Sequence, residues 1–198
     1  MRDDRYSAEW PAPDARLRLT EPTMAEVRAA APALADYYNE PTNRALMTND
    51  IDHSADDVIE QFEEMWEDGD RPFLLYVDDV LVGDGDLRNI EGGHAEYAVL
   101  VGPRSSQAKG LGTRFSIMTL ALSFGPLALC RVYASVRPEN AGSLRMFEKV
   151  GYAIDTSPEA RRYAEEDDDV CLSIGAEAFR GKHPQALAQI RIGPRDKS

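Results

Sequence analysis

The sequence holds few of the residues that staple or metallate small proteins. It has two cysteines, Cys130 and Cys171, which form no CxxC pair. Both thiols, each inside an apolar run, are expected to be buried and reduced. Histidines 53, 94 and 183 are far apart and lack paired-ligand spacing, so no metal site is expected. No apolar run reaches the length of a membrane span, and Met1 to Arg18 holds no apolar signal core. The chain is read as a cytoplasmic protein without membrane association. Positive charge is scarce as well. Lysine and arginine total 22 against 35 aspartates and glutamates, a formal net charge of −13. Such a chain repels a nucleic-acid backbone, so no nucleic-acid partner is expected. The same field draws in a cationic acceptor such as an amine, although it also serves solubility alone.

What is present begins with length. One domain is the default for 198 residues, and a hydrophobic content of 43% suits an ordinary globular core. Residues 1–15, with Pro11 and Pro13 among charges, are expected to be a loose arm or an edge-covering segment. Arg16 to Thr20 alternates like a half-exposed strand. Thr23 and Glu26 form the pattern of a capping box for a helix to about Tyr38, which Pro32 is expected to split or kink. Pro41 to Asp52 is expected to be a loop. Ser54 caps a second helix, Ala55 to Glu67. Pro72 to Val77 and Val80 to Arg88 form a hairpin around Asp78-Asp79, followed by a strand His94 to Val101. A helix Leu111 to Phe124, apolar almost all round, leads to strand Arg131 to Val136 and a helix Ala141 to Lys149, with Gly151 as its C-cap. Tyr152 to Asp155 and Val170 to Ile174 make a last hairpin around the long, charged segment Ser157 to Asp169. One short helix, Gln185 to Ile192, is expected in the tail. The pattern is α+β, or mixed α/β layers, around one sheet. The strands flanking the apolar helix should run parallel, with a ligand at their carboxyl ends.

The most informative run is Gln107-Ala108-Lys109-Gly110-Leu111-Gly112, between a strand and a helix. Two glycines bend the backbone and leave N–H groups uncovered at a helix start, which is a seat for phosphate. Arg104, Lys109 and Arg114 are the local cations. On local sequence alone, a plain glycine-rich turn is the alternative. A nucleotide-binding P-loop is not supported, because the Gly-Lys-Ser/Thr ending is missing.

Together with Asn140-Ala141-Gly142-Ser143 and Met146-Phe147-Glu148-Lys149-Val150-Gly151-Tyr152, this Gln-x-x-Gly-x-Gly run resembles the GNAT superfamily of N-acetyltransferases. Arg16 to Thr23 and Asp169 to Ile174 resemble the first and last strands of its branch of ribosomal-protein N-terminal acetyltransferases. The resemblance covers about residues 16–175, leaving 1–15 as an arm and 176–198 as a C-terminal extension. It implies an acyl-CoA N-acyltransferase-like fold, a mostly antiparallel sheet whose central parallel pair splays at the coenzyme site. It implies acetyl-CoA as co-substrate, with Val99, Leu100 and Val101 holding the pantetheine arm. Amides of Gln107, Ala108, Lys109, Gly110, Leu111, Gly112 and Thr113 would hold the pyrophosphate, and Asn140 would contact the coenzyme or cap its helix. Glu96 is the implied general base, otherwise a glutamate alternating with core residues. A backbone N–H near Leu100 is the implied oxyanion donor. Many members carry a tyrosine at the position of Phe147 as proton donor. Phenylalanine cannot donate, and Ser143 is the substitute, its alternative role being helix capping. The implied activity is acetyl transfer to a primary amine, either a small molecule or a peptide N-terminus, by a monomer or a homodimer. A coenzyme A-binding sensor or scaffold without chemistry is the alternative.

Overall fold

The computed structural model describes residues 4–46, 51–103, 106–107, 109–164 and 166–195. Its strands are β1 (Tyr6–Ala12), β2 (Ala15–Thr20), β3 (Arg71–Val77), β4 (Val80–Glu91), β5 (His94–Val101), β6 (Arg131–Val136), β7 (Ala153–Ile154), β8 (Val170–Gly175) and β9 (Arg191–Pro194). Its helices are α1 (Met24–Asn39), α2 (Pro41–Leu46), α3 (Ala55–Glu67), α4 (Leu111–Phe124), α5 (Ala141–Val150), α6 (Pro158–Arg161), α7 (Ala176–Lys182) and α8 (Pro184–Leu187). The strands form one sheet in the order β7-β8-β6-β5-β4-β3-β2-β1-β9. All neighbours are antiparallel except β5 and β6, which α4 connects as a parallel pair.

Each face of the sheet has its own core. On one face α4 lies across the sheet, and Phe115, Met118, Leu120 and Leu122 pack with Leu17, Leu19, Phe73, Leu87, Val132 and Ile174. This explains a helix that is apolar on nearly every side, since its other flank meets α5. On the opposite face α1 and α3 bury Val27, Leu34, Tyr38, Val58 and Phe62 against Leu74. Both helices start on reciprocal caps. Thr23 Oγ1 accepts from Glu26 N–H (3.2 Å) while Glu26 accepts from Thr23 N–H (2.7 Å). Ser54 and Asp57 repeat the arrangement at 3.2 and 2.7 Å. Asp78 and Asp79 both take left-handed φ values, 48° and 65°, as a two-residue hairpin turn requires.

Several sequence expectations need correction. The N-terminal arm is strand β1 from Tyr6 onward. Pro11 is tolerated there because β9 pairs with β1 only over Tyr6 to Glu9, so no neighbour on that side needs the missing N–H. Pro32 does not divide α1: it sits on the exposed face, where the orphaned Arg28 carbonyl meets solvent. Within the expected loop after Pro41, residues 41–46 form α2, and residues 47–50 lie outside the described set. The segment from Ser157 begins with the short α6. In the tail, Gln185 to Ile192 is not one helix: α8 ends at Leu187 and the chain extends to pair with β1. Cys171 is buried, but Cys130 is exposed, on the approach to β6, with its thiol donating to the Gly93 carbonyl at 3.3 Å.

The terminal strands are tied in by ion pairs. Arg71, only 4% exposed, meets Glu21 at 2.6 and 3.1 Å. Arg195 grips Glu26 through two bonds of 2.7 and 2.8 Å, which fastens the chain after β9 to the head of α1.

Candidate active site

The parallel pair at the centre of the sheet is short. β5 and β6 are in register only at His94–Arg131, Ala95–Val132 and Glu96–Tyr133. Beyond that point each strand stays paired with its outer neighbour, β5 with β4 as far as Val101 and β6 with β8 as far as Val136. Residues 97–101 and 134–136 thus form the arms of a V, and each arm has one unpaired edge. Val99, Leu100 and Val101 lie on the β5 arm, and Glu96 stands at the vertex.

α4 begins above the open end of the V. Gly110 is its N-cap with φ 76°, a left-handed conformation that favours glycine, and no side chain caps the helix. The first intrahelical bond runs from Arg114 N–H to the Gly110 carbonyl at 3.1 Å. The N–H groups of Leu111, Gly112 and Thr113 therefore point out of the first turn with no acceptor among the described residues. Gly112 faces α5, where an added Cβ would stand 3.5 Å from Met146 Cγ. Lys109 and Gly110 are exposed, and Ala108 and Arg104 lie outside the described residues. Arg114 does not offer a free cation, because both its terminal nitrogens meet Asp14, at 2.7 and 2.9 Å. Gln107 turns inward. Its Nε2 donates to the Val101 carbonyl (2.9 Å) and to Asn43 Oδ1 (2.8 Å), and its own N–H donates to Pro103 (3.2 Å). It braces the end of β5 against α2.

The head of α5 completes this side. Asn140 Oδ1 accepts the Ser143 N–H at 3.0 Å, so Asn140 is the N-cap and holds Ser143 in the first turn. Phe147 is a core residue, 4% exposed, edge-on to Tyr97 (6.2 Å between centroids) and Tyr152 (4.8 Å).

On the other side of the sheet the floor is carboxylate-rich. Glu96 is 4% exposed, and Arg88 clasps it through Nε–Oε2 and Nη2–Oε1 contacts of 3.1 Å each. Asn89 adds a third donor at 3.3 Å. Asp84 and Asp86 share this face of β4. Asp84 accepts the Tyr38 hydroxyl from α1. Burial raises its carboxyl to about 7, although the Tyr38 hydroxyl and a backbone bond pull the other way. Burial raises Asp86 to about 7 as well, with Arg88 opposing and Asp84, Glu96 and Asp70 reinforcing the shift. Sequence reading missed these two. Their only signal was an aspartate at alternate positions of a strand, which reads equally as a solvated face.

Residues 16–153 match the acetyltransferase (GNAT) domain family. No curated protein matches the sequence. Among solved structures, Mycobacterium smegmatis RimJ in complex with CoA-disulfide is similar, with TM-score 0.74 and 22% identity over 92% of this chain and 91% of that one. The aminoglycoside acetyltransferase AAC(6')-Ib with coenzyme A follows at 0.68 and 17%, over 83% and 98%. Spermidine N-acetyltransferase from Vibrio cholerae with CoA and spermine gives 0.66 and 18%, over 82% and 97%. At these identities the likeness is one of fold.

Proposed function

We propose that this chain, which belongs to the GNAT acetyltransferase family, transfers an acetyl group from acetyl-CoA to a primary amine by direct attack. The observation that carries the reading is the pairing of an open V in the sheet with the uncovered N–H groups of Leu111, Gly112 and Thr113 above its mouth. Those donors and the helix dipole suit a pyrophosphate, and the unpaired edge of residues 97–101 suits the amide-bearing pantetheine arm. Acetyl-CoA supplies an activated thioester carbonyl. The chain's own groups do the rest. An ammonium acceptor is drawn to the carboxylate floor of β4 and β5 and must lose a proton there before it can attack. A backbone N–H of the β5 arm stabilises charge on the attacked oxygen. Ser143, held by Asn140 at the head of α5, is the nearby hydroxyl suited to protonating the departing thiolate, a role Phe147 cannot fill.

Two measurements test this. Calorimetry should detect coenzyme A binding to the wild type. Gly112→Trp, which sets a large side chain at the mouth between α4 and α5, should weaken that binding at least tenfold while the circular dichroism spectrum stays unchanged. Acetyl-CoA consumption should then appear with at least one of spermidine, an aminoglycoside or a peptide with a free α-amine. Coenzyme binding without turnover on any of them would favour the sensor or scaffold reading, to which the packed Phe147 and the clasped Glu96 lend support. Absence of binding would end both.

A further inference from the structure

The acceptor side of the V holds two kinds of carboxylate, and their environments assign them different work. Along β4, Asp84, Asp86 and Arg88 stand in register opposite Leu100, Ala98 and Glu96 of β5. The row thus follows the stretch of β5 whose other edge is unpaired. Glu96 stands at the vertex, but both of its oxygens are engaged by Arg88 and one also by Asn89. A carboxylate held in a two-point clasp is a weak proton acceptor, because each lone pair it would use is stabilised by a cation. Asp86 is different. Its side chain keeps 19% exposure, its Oδ1 is buried without a hydrogen-bond partner among the described residues, and Arg88 Nε stands off at 3.8 Å. That separation exceeds a hydrogen bond. A buried orphan acceptor costs stability, and an approaching N–H donor would repay the cost.

We propose that Asp86, rather than Glu96, takes the proton from the acceptor ammonium, and that the Arg88–Glu96 pair is a positioning element which keeps the neighbouring charge neutralised. This rests on the acetyltransferase reading. In the step, an N–H bond of the ammonium breaks and its proton passes to the Asp86 carboxylate. The freed lone pair forms the C–N bond, the C–S bond breaks, and the second N–H proton, lost from the nitrogen as the intermediate collapses, passes by way of the Ser143 hydroxyl to the departing thiolate. Asp86 later returns its proton to solvent through its exposed side. The groups facing Asp86 are Arg88, Asp84, Glu96 and Asp70, with Tyr38 of α1 behind Asp84. A carboxyl raised to about 7 is matched to accepting a proton near neutral pH.

The test is a pH–rate profile of kcat/KM with whichever amine of the panel above turns over. The wild type should gain activity through pH 7. Asp86→Asn should lose about a hundredfold or more and lose that limb, with coenzyme A affinity unchanged by calorimetry. Glu96→Gln should keep the limb. A limb that survives in Asp86→Asn, or vanishes in Glu96→Gln, overturns the assignment. Carbon-13 labelling of aspartate carboxyls gives a readout that needs neither turnover nor a folded variant. The Asp86 resonance should titrate near 7 in the wild-type protein and shift to lower pH when the amine binds. Titration in the ordinary carboxylate range refutes the proposal even if the enzyme is active. Coenzyme binding with no turnover on any amine refutes the activity, and the assignment with it.

Discussion

Replacing Asp84 with asparagine should flatten the fall in stability expected of the protein as pH rises. Asp84 is nearly isosteric with asparagine, and the Tyr38 hydroxyl can donate to either. In the folded chain burial raises the Asp84 carboxyl from 3.8 to about 7. The folded state therefore holds this proton more tightly than the unfolded chain does. Its contribution is complete below pH 3.8 and is lost as pH rises through about 7. The full loss is roughly 4 kcal/mol, about 1.4 kcal/mol for each pH unit between the two values. Between pH 5 and 8 the wild type should lose about 2 to 3 kcal/mol through this group, and Asp84→Asn should not. The new amide leaves an unsatisfied donor, but that penalty is independent of pH, so the slope is the readout. Urea unfolding at pH 5, 6, 7 and 8 measures it as a midpoint shift of roughly 1 M across the range. Asp84 also raises Asp86, so its neutralisation should reduce that group's share as well. Parallel wild-type and variant profiles would refute the claim that burial holds the Asp84 proton up to about pH 7.

Other consequences are smaller. Gly110→Ala must place a side chain at φ 76°, where nothing obstructs it but the backbone itself is strained, and should cost about 1 to 2 kcal/mol in thermal unfolding. An unchanged melting temperature would mean the cap adopts another conformation. Burial opposes ionisation of Glu26, but Arg195 and the Thr23 donors outweigh it and bring the carboxyl down to about 2. Its stabilisation is present above pH 4.5 and is lost as pH falls through about 2. Arg195→Met should therefore move acid unfolding to higher pH, and an unmoved acid midpoint would remove this pair from the account.

Much of the candidate site's local structure was legible because it rests on local backbone chemistry. Gly110 and Gly112 mark a helix head whose donors cannot be covered. Asn140 and Ser143 mark a capped helix start, and Gly151 a left-handed helix end (φ 111°). Thr23 and Ser54 announced their helices through residues three positions on. The errors fell where distant partners overrule local preference. Pro11 argues against a strand, yet β1 forms because β2 pairs along its length and β9 pairs only over Tyr6 to Glu9, short of the proline. The tail from Gln185 carries a helical pattern, yet the chain ends as β9 because an open sheet edge waits there.

By itself the amino-acid order determined which segments are helix and strand through most of the chain, the glycine-rich helix head and the family it resembles, since these depend on neighbours within a few residues. Only the tertiary structure decided what surrounds each carboxylate. Arg88 clasps Glu96 only because β4 pairs with β5 and sets the two side by side. Asp84 and Asp86 gave no sign in the sequence of the burial that α1 and the neighbouring strands impose on them. A side chain's charge state follows from the dielectric and the partners around it, and those are assembled from residues far apart in sequence.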